Sequence, residues 1–117
     1  MAKKLWSIFT KNMNKCIVTS APISIERHHV FGGADRAKSE KYGFIVPLHA
    51  SVHPNGARCA DKNWRELDHW LKRKCQEYFI EVAQIGTRDD WYREFGRFWD
   101  DRTDEKVWLN GKFEWRL

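Results

Sequence analysis

The sequence predicts a single α+β domain in which short extended segments fill the first half and helices fill the second. Three observations carry this. All three prolines (Pro22, Pro47 and Pro54) fall before residue 55, which leaves the rest of the chain free to be helical. β-branched and apolar residues cluster in short runs bounded by turn signals over residues 16–48. From Trp64 onward, apolar residues recur at helical spacing. A length of 117 residues is that of one domain.

The elements follow in order. Residues 16–19 (Cys-Ile-Val-Thr) read as a short strand, Ser20-Ala21-Pro22 as a turn, and residues 23–31 as a second strand stopped by Gly32-Gly33. Residues 34–43 are a charged loop with a helical turn at 37–41. Residues 44–48 are a third extended piece, and residues 49–53 one or two helical turns ended by Pro54-Asn55-Gly56. Asn63, with Glu66 three residues on, caps a long helix whose stripe is Trp64, Leu67, Leu71, Cys75, Tyr78, Phe79 and Val82. Gly86 ends it. Thr87 caps the next helix, with Asp89 and Asp90 in the first turn and Trp91, Phe95 and Phe98 on one side. Of the seven tryptophans, Trp64 and Trp70 are placed on the long helix and Trp91 and Trp99 on the following one, mostly as core. In the tail, Asn110-Gly111 between short apolar runs predicts a β-hairpin over residues 104–117. A lone hairpin is marginal in water, so it is expected to pack on the domain or to dock a protein partner through its tryptophans.

Composition excludes several classes. Hydrophobic residues at 42% and charged residues at 32% are those of neither a disordered tail nor a membrane protein, and no apolar run is long enough to span a bilayer. The apolar stretch behind the basic start is too short for a secretory signal. Three widely spaced cysteines build no disulfide framework, which points to a reducing, cytoplasmic compartment. Charge is uneven: residues 1–75 carry 14 Lys and Arg against 6 Asp and Glu, whereas residues 76–117 carry 7 against 10. A basic body suits a polyanionic partner.

Four of the five histidines bracket one segment: His28-His29 at a strand end, and His49 and His53 around the short helical piece. Adjacent strand residues point to opposite faces, while residues four apart on a helix share one. His-x-x-x-His is a metal-ligand spacing, but the zinc-protease form needs Glu after the first His, and position 50 is Ala. His69, alone on the long helix, reads as a surface residue or a satisfied structural one.

The run Glu26-Arg27-His28-His29-Val30-Phe31-Gly32-Gly33, followed by Ser39-Glu40-Lys41-Tyr42-Gly43-Phe44-Ile45-Val46-Pro47-Leu48 and then His53, resembles the HNH endonuclease superfamily, the ββα-metal or His-Me finger nucleases. Within it the chain resembles small phage-type members of the recombination-enhancement group. The similarity runs from about residue 7 to about residue 97 and takes in Glu66-Leu67-Asp68 and Arg93-Glu94-Phe95-Gly96.

The resemblance implies a ββα-metal, treble-clef-like core over residues 1–103, extended by the helices, with the hairpin tail packed on the same domain. It implies a DNA endonuclease or nickase, in the host cytoplasm if phage-encoded, that acts on double-stranded DNA with Mg²⁺ or Mn²⁺. His29 takes the place of the general base, and His28 and His53 those of the metal ligands. The residue types suit the chemistry: an imidazole, with an ordinary pKa of about 6.5, accepts a proton from water, and a divalent ion offsets charge at the scissile phosphate. The products would carry 5′-phosphate and 3′-hydroxyl ends.

The chain departs from the superfamily pattern in three places. The middle Asn is missing, its place falling near Phe44, so another group, such as Ser39 or a backbone carbonyl, must orient His29. The two Cys-x-x-Cys knuckles of many relatives read Cys16-x-x-Thr19 and His49-x-x-Val52, so no structural zinc is expected. His49 is then either a knuckle remnant or an extra residue near the metal. Cys75 fits the core stripe, and Cys59 matches no pattern. Arg27, Arg36, Lys38, Lys41 and Arg58 flank the motif and are the expected phosphate contacts, which give affinity without sequence choice. Lys72-Arg73-Lys74 is either a further contact or a solvated helix face, and Lys3, Lys4, Lys11 and Lys15 extend the basic surface. The competing function is an HNH-like module that grips nucleic acid or protein without cutting.

Overall fold

A computed structural model of the chain describes residues 4–60, 62 and 64–101. Asn63, Lys3 and the tail, on which the expected Asn-Gly hairpin and two tryptophans fall, lie outside the described residues. The described chain is an α+β fold with one two-stranded antiparallel sheet and three α-helices: β1 (Ile25–His29), α1 (Arg36–Tyr42), β2 (Ile45–His49), α2 (Trp64–Glu77) and α3 (Arg88–Phe95). Among the described residues, no helix is long and apolar enough to cross a membrane.

The strands pair from Ile25 opposite His49 to His29 opposite Ile45. β1 is shorter than the expected extended run, and the expected strand at residues 16–19 is a turn. Only one of its β-branched residues reaches a strand, Ile17 N–H donating to Pro47 O of β2 (3.2 Å), and the rest of the segment closes on itself: Cys16 N–H donates to Ala21 O (2.9 Å), Ser20 N–H to Cys16 O (2.9 Å), and Thr19 N–H to Cys16 Sγ (3.3 Å). The expected helical turn in the charged loop is the full helix α1, which ends on Gly43 at φ 74°. That glycine is required twice over: its backbone is left-handed, and a Cβ there would stand 2.6 Å from the Trp6 ring.

After β2 only Ala50–Val52 is helical, as one 3₁₀ turn, and His53 is extended (φ −68°, ψ 112°). The expected helical turns carrying His49 and His53 on one face therefore do not form, because Pro54 biases the preceding residue away from helix. The long helix runs as predicted to Glu77, then widens into a π-helical turn, Tyr78–Val82, with Ala83 N–H donating to Tyr78 O (2.8 Å). Thr87 forms the predicted cap, as a reciprocal capping box with Asp90.

The core lies beneath β1, β2 and the helices. Leu67, Trp70, Leu71 and Cys75 bury the stripe of α2, Phe79 continues it in the π-helical turn, and Trp91 and Phe95 bury that of α3. Trp99 and Phe98, expected on a helix, follow the end of α3 and pack against the core from an irregular segment. His69 is exposed, as expected. Burial pushes the Cys75 thiol well above its ordinary range, as suits a packing cysteine. Phe31, two residues past β1, is the hub of the aromatic cluster, with ring centroids 4.3 Å from Phe95, 5.3 Å from Trp99 and 5.7 Å from Trp91. The Ser39 hydroxyl bonds Phe31 twice, accepting from its N–H (2.9 Å) and donating to its carbonyl (2.8 Å), and so fastens α1 to the exit of β1.

Candidate functional site

Two histidines 25 residues apart meet at the strand pair. His28 Nδ1 lies 3.0 Å from His53 Nε2, and the rings are edge-on at 4.8 Å. The fold brings them together because β1 and β2 pair over their full length and the 3₁₀ turn carries the chain back across the strand end. The far nitrogen of His53, Nδ1, is 2.5 Å from Glu26 Oε1, and the other Glu26 oxygen accepts from Arg58 Nη2 at 3.3 Å. Glu26 and His28, two apart on a strand, share a face. The hydrogen bond from His53, assisted by Arg58, holds the Glu26 carboxyl below its usual range.

A carboxylate only accepts, so His53 donates its Nδ1 hydrogen to Glu26. With His53 neutral, Nε2 is then its acceptor and His28 donates from Nδ1. His28 is buried, and burial first, then the charges of His53, Lys72 and His29, pushes its pKa down to about 3. Its Nε2 is also buried and has no hydrogen-bond partner among the described residues.

His29 points to the other side and reaches Glu40 of α1, with Nε2 2.9 Å from Oε2. The two histidine stations thus share one plan. Each imidazole is backed by a carboxylate, and each carboxylate is approached by an exposed arginine: Arg58 at Glu26, and Arg36 at Glu40 with Nε at 3.8 Å.

The expected site residues divide accordingly. His28 and His53 converge, and His29 adjoins them through the chain. His49 does not join them. Its β1 partner is Ile25, which lies three residues before His28 and so on the opposite face of the sheet, and its Nδ1 accepts from Ser51 N–H (3.2 Å) as a cap of the 3₁₀ turn. Ser39 bonds Phe31 and orients α1, while the side chain that meets His29 is its neighbour Glu40. Among the expected phosphate contacts, Arg36 and Arg58 border the histidines. Arg27 donates to Asn14 Oδ1 (3.1 Å), Lys38 Nζ to the Glu94 carbonyl on α3, and Lys41 sits over the Tyr42 ring (5.0 Å).

The run at 72–74 is not one strip. Lys72 pairs with Asp68 (2.8 Å) and bears on His28 electrostatically; Arg73 is buried and donates to Asp101 O (2.6 Å); and Lys74 pairs with Glu77 (3.0 Å). Sequence reasoning gave no role to Glu26 or Glu40, and it read Lys72 only as a phosphate contact or part of a solvated helix face, not as a neighbour of His28. Glu26 was detectable from its two-residue spacing to His28, whereas nothing local marked the other two.

Among the described residues, no group of three or more His, Cys, Asp or Glu side chains converges as a metal cage. The donor set is therefore two imidazoles. Their 3.0 Å separation equals that of neighbouring ligands on an octahedral ion at a bond length of about 2.1 Å, and ligation by both atoms would require His28 to carry its hydrogen on Nε2 instead of Nδ1. A carboxylate behind His53 is the outer partner that metal-binding histidines usually have. The pair fits an ion that keeps most of its coordination for water and phosphate. No known protein family, curated protein or solved structure matches this chain.

Proposed function

We propose that this chain is an HNH-type, divalent-metal-dependent DNA endonuclease or nickase. The observation that carries the reading is the convergence of His28 and His53 next to His29, each site imidazole but His28 backed by a carboxylate. The order of parts supports it as well: a strand ending in His28-His29, a return strand, then a histidine beyond it, as in a ββα-metal core. Here a 3₁₀ turn follows the second strand, and α2 starts only at Trp64.

His28 and His53 would hold the ion, which would be Mg²⁺ or Mn²⁺. When bound, it supplies positive charge at the scissile phosphate and the leaving oxygen. His29 takes a proton from water as the water oxygen forms its bond to phosphorus. The bond from phosphorus to the 3′ oxygen breaks, and that oxygen leaves with a proton from solvent. Arg36 and Arg58 grip flanking phosphates.

Nicking of supercoiled plasmid with Mg²⁺ or Mn²⁺, against EDTA, tests the proposal. The wild type is expected to nick only with metal. His29→Ala should lower the rate by about 10²- to 10⁴-fold while gel-shift affinity for DNA is retained. Cutting by H29A at the parental rate would remove the base assignment. A gel shift without cleavage by the wild type would instead favour a DNA-gripping module.

A further inference from the structure

The missing Asn of the motif leaves open what holds His29, and the geometry points to Glu40: we propose that Glu40 is the positioning residue of His29, and that it commits Nδ1 of that ring as the proton-accepting atom. What His29 does with the proton rests on the nuclease reading above; how the ring is held does not.

The argument begins with valence. A carboxylate accepts and cannot donate, so the 2.9 Å contact between Glu40 Oε2 and His29 Nε2 places the hydrogen on Nε2. In a neutral ring the lone pair is then on Nδ1. The contact is shielded, since the His29 side chain is 6% exposed and that of Glu40 is 20% exposed. A hydrogen bond in such surroundings holds a ring orientation more firmly than the same bond in water.

Glu40 is itself placed rigidly. The residue before it, Ser39, is fully buried and clamps both backbone groups of Phe31, the hub of the aromatic cluster. The clamp spans eight residues, from the end of β1 to the middle of α1, and presents Glu40 to His29 from the side opposite the His28–His53 pair. Arg36, one turn earlier on α1, approaches the same carboxylate oxygen at 3.8 Å, so the carboxylate is flanked by a cation on its solvent side. Proton transfer from water to Nδ1 would leave an imidazolium, and the carboxylate would offset that charge without moving.

Long-range ¹H–¹⁵N spectra of the histidine rings test the proposal on the metal-free full chain, with H29A identifying the signals. Wild-type His29 is expected as the Nε2–H tautomer. Glu40→Ala should release it toward a mixture, while Glu40→Gln, whose amide oxygen can still accept, should keep it. In the plasmid assay, E40A should lower kcat by at least about tenfold with KM nearly unchanged, and E40Q should recover part of the loss. An Nδ1–H tautomer in the wild type would overturn the proposal with no variant needed, so it stays open to refutation even if E40A fails to fold. An E40A effect on KM alone would overturn it too. If the wild type does not nick DNA but the tautomer responds as stated, the nuclease reading fails while the Glu40 assignment stands.

Discussion

The aromatic core and the histidine cluster adjoin at the end of β1, yet they are built on opposite principles. Around Phe31, each ring touches several others: Trp91 alone meets Phe31, Phe44, Phe79, Phe95 and Trp99. Such contacts are non-directional and redundant, and their strength grows with buried area. The histidine cluster is a chain of single contacts, Glu26 to His53 to His28, and it ends in a buried nitrogen that has no partner among the described residues. Each of its links is directional and has no substitute nearby. The core can therefore hold the strand end in place while the polar groups are left in arrangements that packing alone would not favour. Stability and chemistry are thereby divided between neighbouring residues of one strand and its exit.

The sharpest way to break this division is to remove the hub's largest ring. Trp91 is fully buried, and Trp91→Ala should destabilise the fold by about 3–5 kcal/mol, read from urea denaturation. A loss below about 1 kcal/mol would mean that the aromatic cluster is not what supports the site.

The next test is acid. His28 is held neutral in the folded chain down to about pH 3, whereas the unfolded chain takes up that proton below its ordinary value of 6.5. Between these values the unfolded state binds more protons, so stability is full above about pH 6.5 and falls as the pH drops toward 3. The lowered Glu26 pKa acts in the same direction at the acid end. The expected loss is on the order of a few kcal/mol, measured by denaturation in EDTA at stepped pH, and His28→Gln should flatten the curve. Equal slopes for the two proteins would show that the polar cluster carries no such cost.

The smallest effect sharpens the comparison from outside both regions. Thr87→Ala removes the capping box at the start of α3 and should cost about 1 kcal/mol, with plasmid nicking unchanged, because α3 is joined to the rest through the core and the Lys38–Glu94 contact with α1, away from its capped start. A loss of nicking larger than the loss of stability would mean that the two regions are coupled.

Legibility followed the range of the interactions. The Thr87 cap, the α2 stripe and the extended residues around Val46 depend on neighbours within four positions, and these were readable. The turn at residues 16–19 was misread because its β-branched residues signal a strand only where a partner strand exists. The spacing of His49 and His53 suggests one helical face, but the 3₁₀ turn after β2 covers only Ala50–Val52 and His53, before Pro54, is extended.

By itself, the sequence determined the α+β class, the capped and striped helices, the basic body and the histidines worth testing, since each follows from local spacing, composition or residue type. Only the tertiary structure decided that His28 and His53 meet, that Glu26 stands behind His53 and Glu40 behind His29, and that Arg58 and Arg36 approach those two carboxylates. Those choices depend on strand register and on the Ser39 clamp at Phe31, which join residues far apart in the chain, and no local pattern encodes the angle at which distant side chains arrive.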